Sequence, residues 1–345
     1  MKALYYLGDK TLELREIPEP IPGENEYLIK IEACGICGSD YEGYLGKTNR
    51  RIAPMVMGHE AAGTVVKAPA GGRYAAGTNV AVFPNYYCGK CDQCREGLTN
   101  NCADGTFLGI LTFDGCMAEY VTAPEKYILP FGPSLSHETA AMVEPLAVAL
   151  DAVSKITDEE LRNAGYTAVI GGGTIGLMVL LMLKRRKAKN IIVSDTFDFR
   201  LDLAKKLGAD AVINPLKEDF TAAIKKITGG KMCSLAIEAV GFTATAQSSL
   251  DALRPGGIAV WVGNAQKIIE IDMQKVVVTE LTIRGSHIYK LEEFEACLKM
   301  MAKGEIDVSA LITDRYALKD GAEAFRALED NKDGKKLKVM LRMNG

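Results

Sequence analysis

Cysteine, histidine and acidic residues fall in this 345-residue sequence at spacings that metal and redox chemistry use. The stretch Cys34 to Asp40 reads CGICGSD, two cysteines three apart with glycines around them. A redox pair, half of a metal clip and an incidental spacing all remain open there. Further along, Cys88, Cys91, Cys94 and Cys102 read C-x-x-C-x-x-C-x7-C. Four thiolates so spaced can wrap one tetrahedral Zn²⁺ and close all its positions, with Gly89 and Gly97 allowing the turns. Iron–sulfur clusters also take four cysteines, but usually at other spacings. The expectation is a structural zinc that performs no chemistry, in a lobe over 85–105. His59 and Glu60, in VMGHEAAG, follow Cys37 by 22 and 23 residues. A lone histidine beside an apolar run is ordinarily structural, so the pair needs context.

A second chemistry is written around residue 171. Gly171, Gly173 and Gly176 form G-x-G-x-x-G, with Thr174 and Ile175 between the last two. The pattern follows the apolar run TAVI, opens an amphipathic segment, and leads through IIVS to Asp195, 19 residues after Gly176. Such glycines let the backbone turn tightly and approach a pyrophosphate that rests on the helix N-terminus. An acidic group ending the second strand accepts from the adenosine ribose hydroxyls and repels a 2′-phosphate, so Asp195 predicts NAD over NADP. Arg200 lies close enough to bear on that choice.

These residues need elements to hold them. Before about residue 145, short runs such as EYLIKIEA, AAGTVV, NVAVF and MAEYVTA alternate with turn residues, which predicts a β-rich region. After it, strand-like and helical stretches alternate over about 110 residues, which predicts a parallel sheet covered by helices. A helix in LEEFEACLKMMAKG, another from Gly321 to Glu329 and a strand in KLKVMLRM close the chain. The KRRK run at 184–187 reads as solvated cations at a helix C-terminus. Hydrophobic residues make up 48% and the net charge is -3, which removes the electrostatic footprint for nucleic acid or an anionic membrane. The longest purely apolar run, Leu177 to Leu183, is far short of the roughly 20 residues a membrane span needs. The N-terminal residues lack a signal-peptide core. A cytoplasmic protein with reduced cysteines is expected. Cys116, Cys233 and Cys297 are scattered and read as small packing residues.

In order along the chain, CGICGSD, GHE followed by GTVV, the four-cysteine clip, EPLAVAL and GGGTIG followed by Asp resemble the zinc-containing medium-chain alcohol dehydrogenases. Within them the chain looks most like the sorbitol (polyol) dehydrogenase group, over essentially its whole length. The resemblance implies an α/β protein with a GroES-like β-rich catalytic domain (1–146 and 285–345) and a Rossmann domain (147–284). It implies two zinc ions per chain, NAD, and hydride transfer between NAD and a secondary hydroxyl of a polyol or polyol phosphate. Cys37 and His59 match ligands of the catalytic zinc. Glu144 matches a glutamate that binds it directly or through water, and Glu60 lies near the metal and binds it in some states. Ser39 matches the hydroxyl that first takes the substrate proton, Asp40 orients the shell behind it, and Cys34 is a buried strand residue. A homodimer or homotetramer is implied.

The match also departs from the pattern. Where the group often has a relay histidine, five residues after the zinc cysteine, this chain has Glu42, either a base or a solvated side chain. Where sorbitol dehydrogenases carry G-x-F-R-Y, it has GSHIY, with Ile288 in place of arginine and His287 as a possible polar substitute. Gly38 stands where alcohol dehydrogenases proper often have an arginine. Lys47, Arg50 and Arg51 form a basic loop that could grip a substrate phosphate, as in galactitol-1-phosphate dehydrogenase, or stay solvated. Tyr44, Arg50, Arg51 and Tyr289 are therefore the substrate candidates. The competing readings are L-threonine 3-dehydrogenase, a butanediol-type secondary alcohol dehydrogenase, and a non-catalytic nucleotide-binding protein.

Overall fold

The structure is a computed structural model in which residues 1–111 and 113–343 are described. The chain divides into two units, one of residues 1–144, 290–332 and 336–345, the other of 145–289 with 333–335. The segments expected from sequence break instead at 146/147 and 284/285, and their residues 112, 344 and 345 lie outside the described residues.

The first unit is built on a seven-stranded sheet. Its strands run in the order Ile128–Pro130, Asn79–Val82, Glu60–Lys67, Glu26–Ile36, Lys338–Arg342, Ile312–Ala317, and Tyr120–Pro124 also pairs with Glu26–Ile36. The long Glu26–Ile36 strand organises it. Its Tyr27, Ile29 and Ile31 alternate along one face and are fully buried, as the two-residue period of a strand demands. Its last residues pair on both sides. Gly35 sits opposite Glu60, and Ile36 opposite Val339. Three distant segments therefore meet at the same end of three adjacent strands: Cys37, just past one strand, Glu60, opening the second, and Lys338, opening the third. The helix Gly38–Tyr44 starts directly after Cys37. The carboxylate of Asp40 caps it by accepting from the Cys37 backbone N–H at 3.1 Å.

The second unit holds six parallel strands in the order Ala211–Ile213, Ile191–Ser194, Thr167–Ile170, Cys233–Glu238, Leu253–Trp261, Thr282–Gly285. Numbered within the unit this is 3-2-1-4-5-6, the doubly wound order of dinucleotide-binding sheets. The central strands TAVI and IIVS are buried on both faces, which is why they read as continuous apolar runs. The helix Thr174–Arg185 follows the first strand after a three-glycine turn. Of the KRRK cations, Lys184, Arg185 and Lys187 are exposed. Arg186 departs from the expectation: its guanidinium donates to the carbonyls of Val153 (2.6 Å) and Ile156 (2.9 Å) and pairs with Asp158. No helix among the described residues is long and apolar enough to cross a membrane.

Candidate active site and metal centres

Two groups of ligand-bearing side chains occur in the first unit, each with its donor atoms within 4.8 Å of one another. Two bonds of about 2.0–2.3 Å through one Zn²⁺ span at most about 4.6 Å, so both groups can close on an ion with small adjustments. The first is Cys88, Cys91, Cys94 and Cys102. A short helix, Asp92–Arg95, reverses the chain between the second and fourth cysteines. Backbone amides already point at sulfur: Cys88 N–H donates to Cys102 Sγ (3.3 Å), and the amides of Lys90 and Cys91 to Cys88 Sγ (3.4 and 3.3 Å). Amide donors from Cys94 and Ala103 hold the Cys91 thiol down, to about 6. Burial, then the neighbouring Cys91 thiol, push Cys94 the other way, to about 12; all four ligands are protein, so the centre has no position for a substrate.

The second group is Cys37, His59 and Glu60. His59 and Glu60 are 3% and 1% exposed. The His59 ring lies edge-on to Phe107, and its Nδ1 is buried without a hydrogen-bond partner, 3.7 Å from Asp40 Oδ1. An Nδ1–H turned toward that carboxylate leaves the Nε2 lone pair for a cation, the tautomer that a metal-ligating imidazole takes. Burial, then the negative charge of Glu60, push the Cys37 thiol up to about 11. Asp40 is fully buried; burial raises its carboxyl, but His59, Arg51 and the Cys37 amide outweigh that and hold it below the usual carboxylate range. Ser39 Oγ donates to Cys37 Sγ at 3.4 Å, so the hydroxyl sits at the ligand. Glu144, 4% exposed in the helix Val143–Ser154, is not within the tight ligand group, though its charge reaches Lys338.

Lys338 is the residue the sequence reading missed. Its ammonium is buried and donates to both Glu60 oxygens, at 2.5 and 2.6 Å, and to the Ile36 carbonyl at 3.1 Å. Burial pulls the lysine pKa down, and Glu60 followed by Cys37 more than restores it. Gly35 makes room for this pair: a Cβ there would stand 2.0 Å from Glu60 Oε2. Glu60 is thus shared between an ammonium and any cation held by Cys37 and His59. The available signal was a lysine at an inward position of the apolar strand KLKVMLRM.

The substrate candidates differ widely in exposure. Arg51 is not on a solvated loop; its side chain has no exposure and pairs with Asp40 at 2.7 Å. Tyr44 is 4% exposed and packs on Phe325, ring centroids 5.2 Å apart, because its helix buries that face in the core. Tyr289 is fully buried. Arg50, Lys47 and His287 are exposed. Glu42 is half-buried; burial raises its carboxyl against the pull of Lys47, Arg50 and Arg51. Ile288 has φ 53°, a strained region for a β-branched residue.

In the second unit, Gly171 has φ +99°, and a Cβ at Gly176 would lie 1.7 Å from the Gly171 carbonyl oxygen. The helix carrying Gly173, Thr174 and Ile175 therefore packs against its own turn only with glycine there. Asp195 Oδ2 accepts from the Gly172 amide at 2.7 Å, and Oδ1 from the Phe197 amide at 2.9 Å. Arg200 Nη1 also donates to Oδ2, at 3.5 Å, so of the roughly four acceptor positions of a carboxylate at least one remains for a ribose hydroxyl. Arg200 lies 3.5 Å from Asp195 and is held by the Gly334 carbonyl and the Phe197 ring. These residues fit a dinucleotide.

Residues 23–133 match the alcohol dehydrogenase GroES-like domain, and 174–303 the zinc-binding dehydrogenase domain. The chain is 33% identical to sorbitol dehydrogenase of Bacillus subtilis, over 100% of this chain and 98% of that protein. It is 33% identical to D-arabitol-phosphate dehydrogenase of Enterococcus avium, over 98% and 95%. Among solved structures, L-idonate 5-dehydrogenase from Escherichia coli superposes with a TM-score of 0.90 at 28% identity, over 99% of this chain and 98% of that one.

Proposed function

Because the chain belongs to the zinc-binding alcohol dehydrogenase family, we propose that it oxidises a secondary hydroxyl of a polyol or polyol phosphate to the ketone, with NAD as hydride acceptor. The observation that carries the reading is the buried group of Cys37, His59 and Glu60 with the Ser39 hydroxyl against it. Cys37 and His59, with Glu60 or Glu144 completing the set, would hold the catalytic zinc, and the four-cysteine lobe the structural one. A bound Zn²⁺ supplies Lewis acidity that lowers the pKa of a hydroxyl and so eases hydride departure. Ser39 Oγ takes the hydroxyl proton, and Glu42, three residues on in the helix Gly38–Tyr44, is the base that would receive it. Asp195 binds the ribose hydroxyls and disfavours a 2′-phosphate; Gly171, Gly173 and Gly176 admit the pyrophosphate.

The polyol class rests on the activities of the relatives, and the phosphorylated alternative on the exposed Lys47 and Arg50 of the basic loop. A panel of polyols, polyol phosphates, L-threonine and butanediol, with NADH followed by absorbance, tests this. Turnover of a polyol or polyol phosphate at least tenfold above threonine and butanediol is expected; activity on threonine or butanediol alone would overturn the substrate class. We infer a homo-oligomer as well, supported by the open edge strand Thr282–Gly285 and exposed Ile268, Met273, Val277 and Val278 beside it in sequence. Sedimentation at micromolar concentration should show no monomer. A cytoplasmic location accords with nine cysteines that form no disulfide, and cell fractionation tests it.

A further inference from the structure

We propose that Arg51 is a positioning residue for the reaction: its buried guanidinium spans Asp40 and Ser39 and fixes the orientation of the Ser39 hydroxyl. The inference deepens the proposed function and rests on the role given there to Ser39. Arg51 and Asp40 both have side chains without exposure, and a charge so placed must be paired. Arg51 Nε and Nη2 donate to Asp40 Oδ1 at 3.2 and 2.7 Å, and Nη1 to the Arg50 carbonyl at 3.4 Å. The same Nη2 donates to Ser39 Oγ at 3.1 Å.

Guanidinium has donors and no acceptor, so this contact has one polarity only. A hydroxyl carries one O–H and two lone pairs. With one lone pair taken by Arg51, Ser39 keeps one lone pair and its O–H on the side of Cys37 Sγ. The lone pair can take a proton from a substrate hydroxyl, while the O–H, turning from Cys37 Sγ toward Glu42, gives one up in exchange. Asp40 extends the same anchor, since its carboxylate holds the Cys37 amide and faces His59. The local fold delivers Arg51 to this place. Residues 50 and 52 bond to Leu111, Arg50 through its carbonyl (2.7 Å) and Ile52 through its amide (3.2 Å), which turns the side chain between them inward. Its stem crosses Gly43, where a Cβ would lie 2.3 Å from Arg51 Cγ.

The test compares Arg51→Lys, Gly43→Ala, Ser39→Ala and the double variant Arg51→Lys/Ser39→Ala in the zinc-loaded enzyme. Lysine keeps the charge on Asp40 but lacks the fork that also reaches Ser39. Gly43→Ala leaves the arginine in the chain and displaces its stem. Expected for Arg51→Lys is a fall in kcat of roughly ten- to a hundredfold, within what positioned proton transfer contributes. KM, zinc content and the thiolate-to-metal absorption of the cobalt-substituted protein stay at wild-type values. In the Ser39→Ala background the same substitution changes kcat less than about twofold, the signature of residues acting together. Crystal structures read the effect without turnover: one Ser39 rotamer in the wild type, more than one in the variant. Gly43→Ala reproduces the kcat loss and answers for Arg51→Lys if that protein does not fold. Wild-type kcat in the folded variants overturns the proposal, as does a loss that persists in full without the Ser39 hydroxyl. If Ser39→Ala alone turns over normally, the Ser39 reading fails instead, and the Ser39 rotamer still reports on Arg51.

Discussion

Removing the Lys338 ammonium isolates a carboxylate at the centre of the first unit. In Lys338→Met, Glu60 loses donors at 2.5 and 2.6 Å while remaining 1% exposed, and the Ile36 carbonyl loses one at 3.1 Å. Breaking a buried pair by deleting one partner costs about 3–5 kcal/mol, because the remaining charge is left without compensation. For a unit of this size each kcal/mol moves the thermal midpoint by about 2–4 °C, so the loss is roughly 6–20 °C. The assay is calorimetry of metal-stripped and zinc-loaded protein, wild type against Lys338→Met, with Lys338→Met/Glu60→Gln as the control that removes the orphaned charge. The stripped single variant should melt far below wild type, and the double variant should recover more than half of the loss. Zinc should raise the midpoint of Lys338→Met more than that of wild type, since the freed carboxylate can turn to the cation. A stripped Lys338→Met protein melting within about 2 °C of wild type would refute the argument. Equal zinc increments in both proteins would show that Glu60 is not shared.

Three other outcomes are expected. Arg284 donates to both oxygens of Glu160, at 2.8 and 2.6 Å, and chiefly through these bonds lowers its pKa from 4.5 to about 2. The folded pKa is depressed, so the stabilisation is present above pH 4.5 and lost as pH falls toward 2; partial exposure reduces it to about 1–2 kcal/mol. Urea unfolding of Glu160→Gln against wild type should therefore differ at pH 6 and converge at the acid end, and a pH-independent gap would contradict the linkage. Cys91→Ser should bring metal analysis from two zinc per chain to one and expose the 85–105 lobe to protease; unchanged zinc would remove the clip from the metal inventory. Asp195→Ala should lower kcat/KM for NAD at least tenfold and raise the relative use of NADP, and a wild-type cofactor ratio would show that another group discriminates.

The parts of this molecule that were legible in the sequence are those whose chemistry is contiguous. Four cysteines within fifteen residues, or a glycine turn with its acidic partner one strand later, carry their geometry in their spacing, because backbone stereochemistry leaves few ways to fold them. The strands and late helices were legible for the same reason, since apolar period follows local structure. Cys37 and His59 needed the resemblance, because their meeting depends on a sheet register that pairs Gly35 with Glu60.

Lys338 and Arg51 lay beyond this reach for two different physical causes. Lys338 bonds Glu60 across 278 residues of chain, and no local pattern encodes which strand will lie beside which. Arg50 and Arg51 are the same residue type side by side, yet one is exposed and the other has no exposed side-chain surface. Their fates separate only when the bonds to Leu111 set which of the two points inward, and once that is set the buried one must find a carboxylate. Both residues, Lys338 unnamed in the sequence reading and Arg51 named there for a different role, are cations in contact with anions of the Cys37–Asp40 and His59–Glu60 segments. A site that gathers the carboxylates of Asp40 and Glu60 in its interior concentrates negative charge, and the buried cations Arg51 and Lys338 are what allow the apoprotein to fold around it. The search for such partners belongs at inward-facing Lys and Arg positions of the strands bordering a ligand cluster, where a solvated role is geometrically closed.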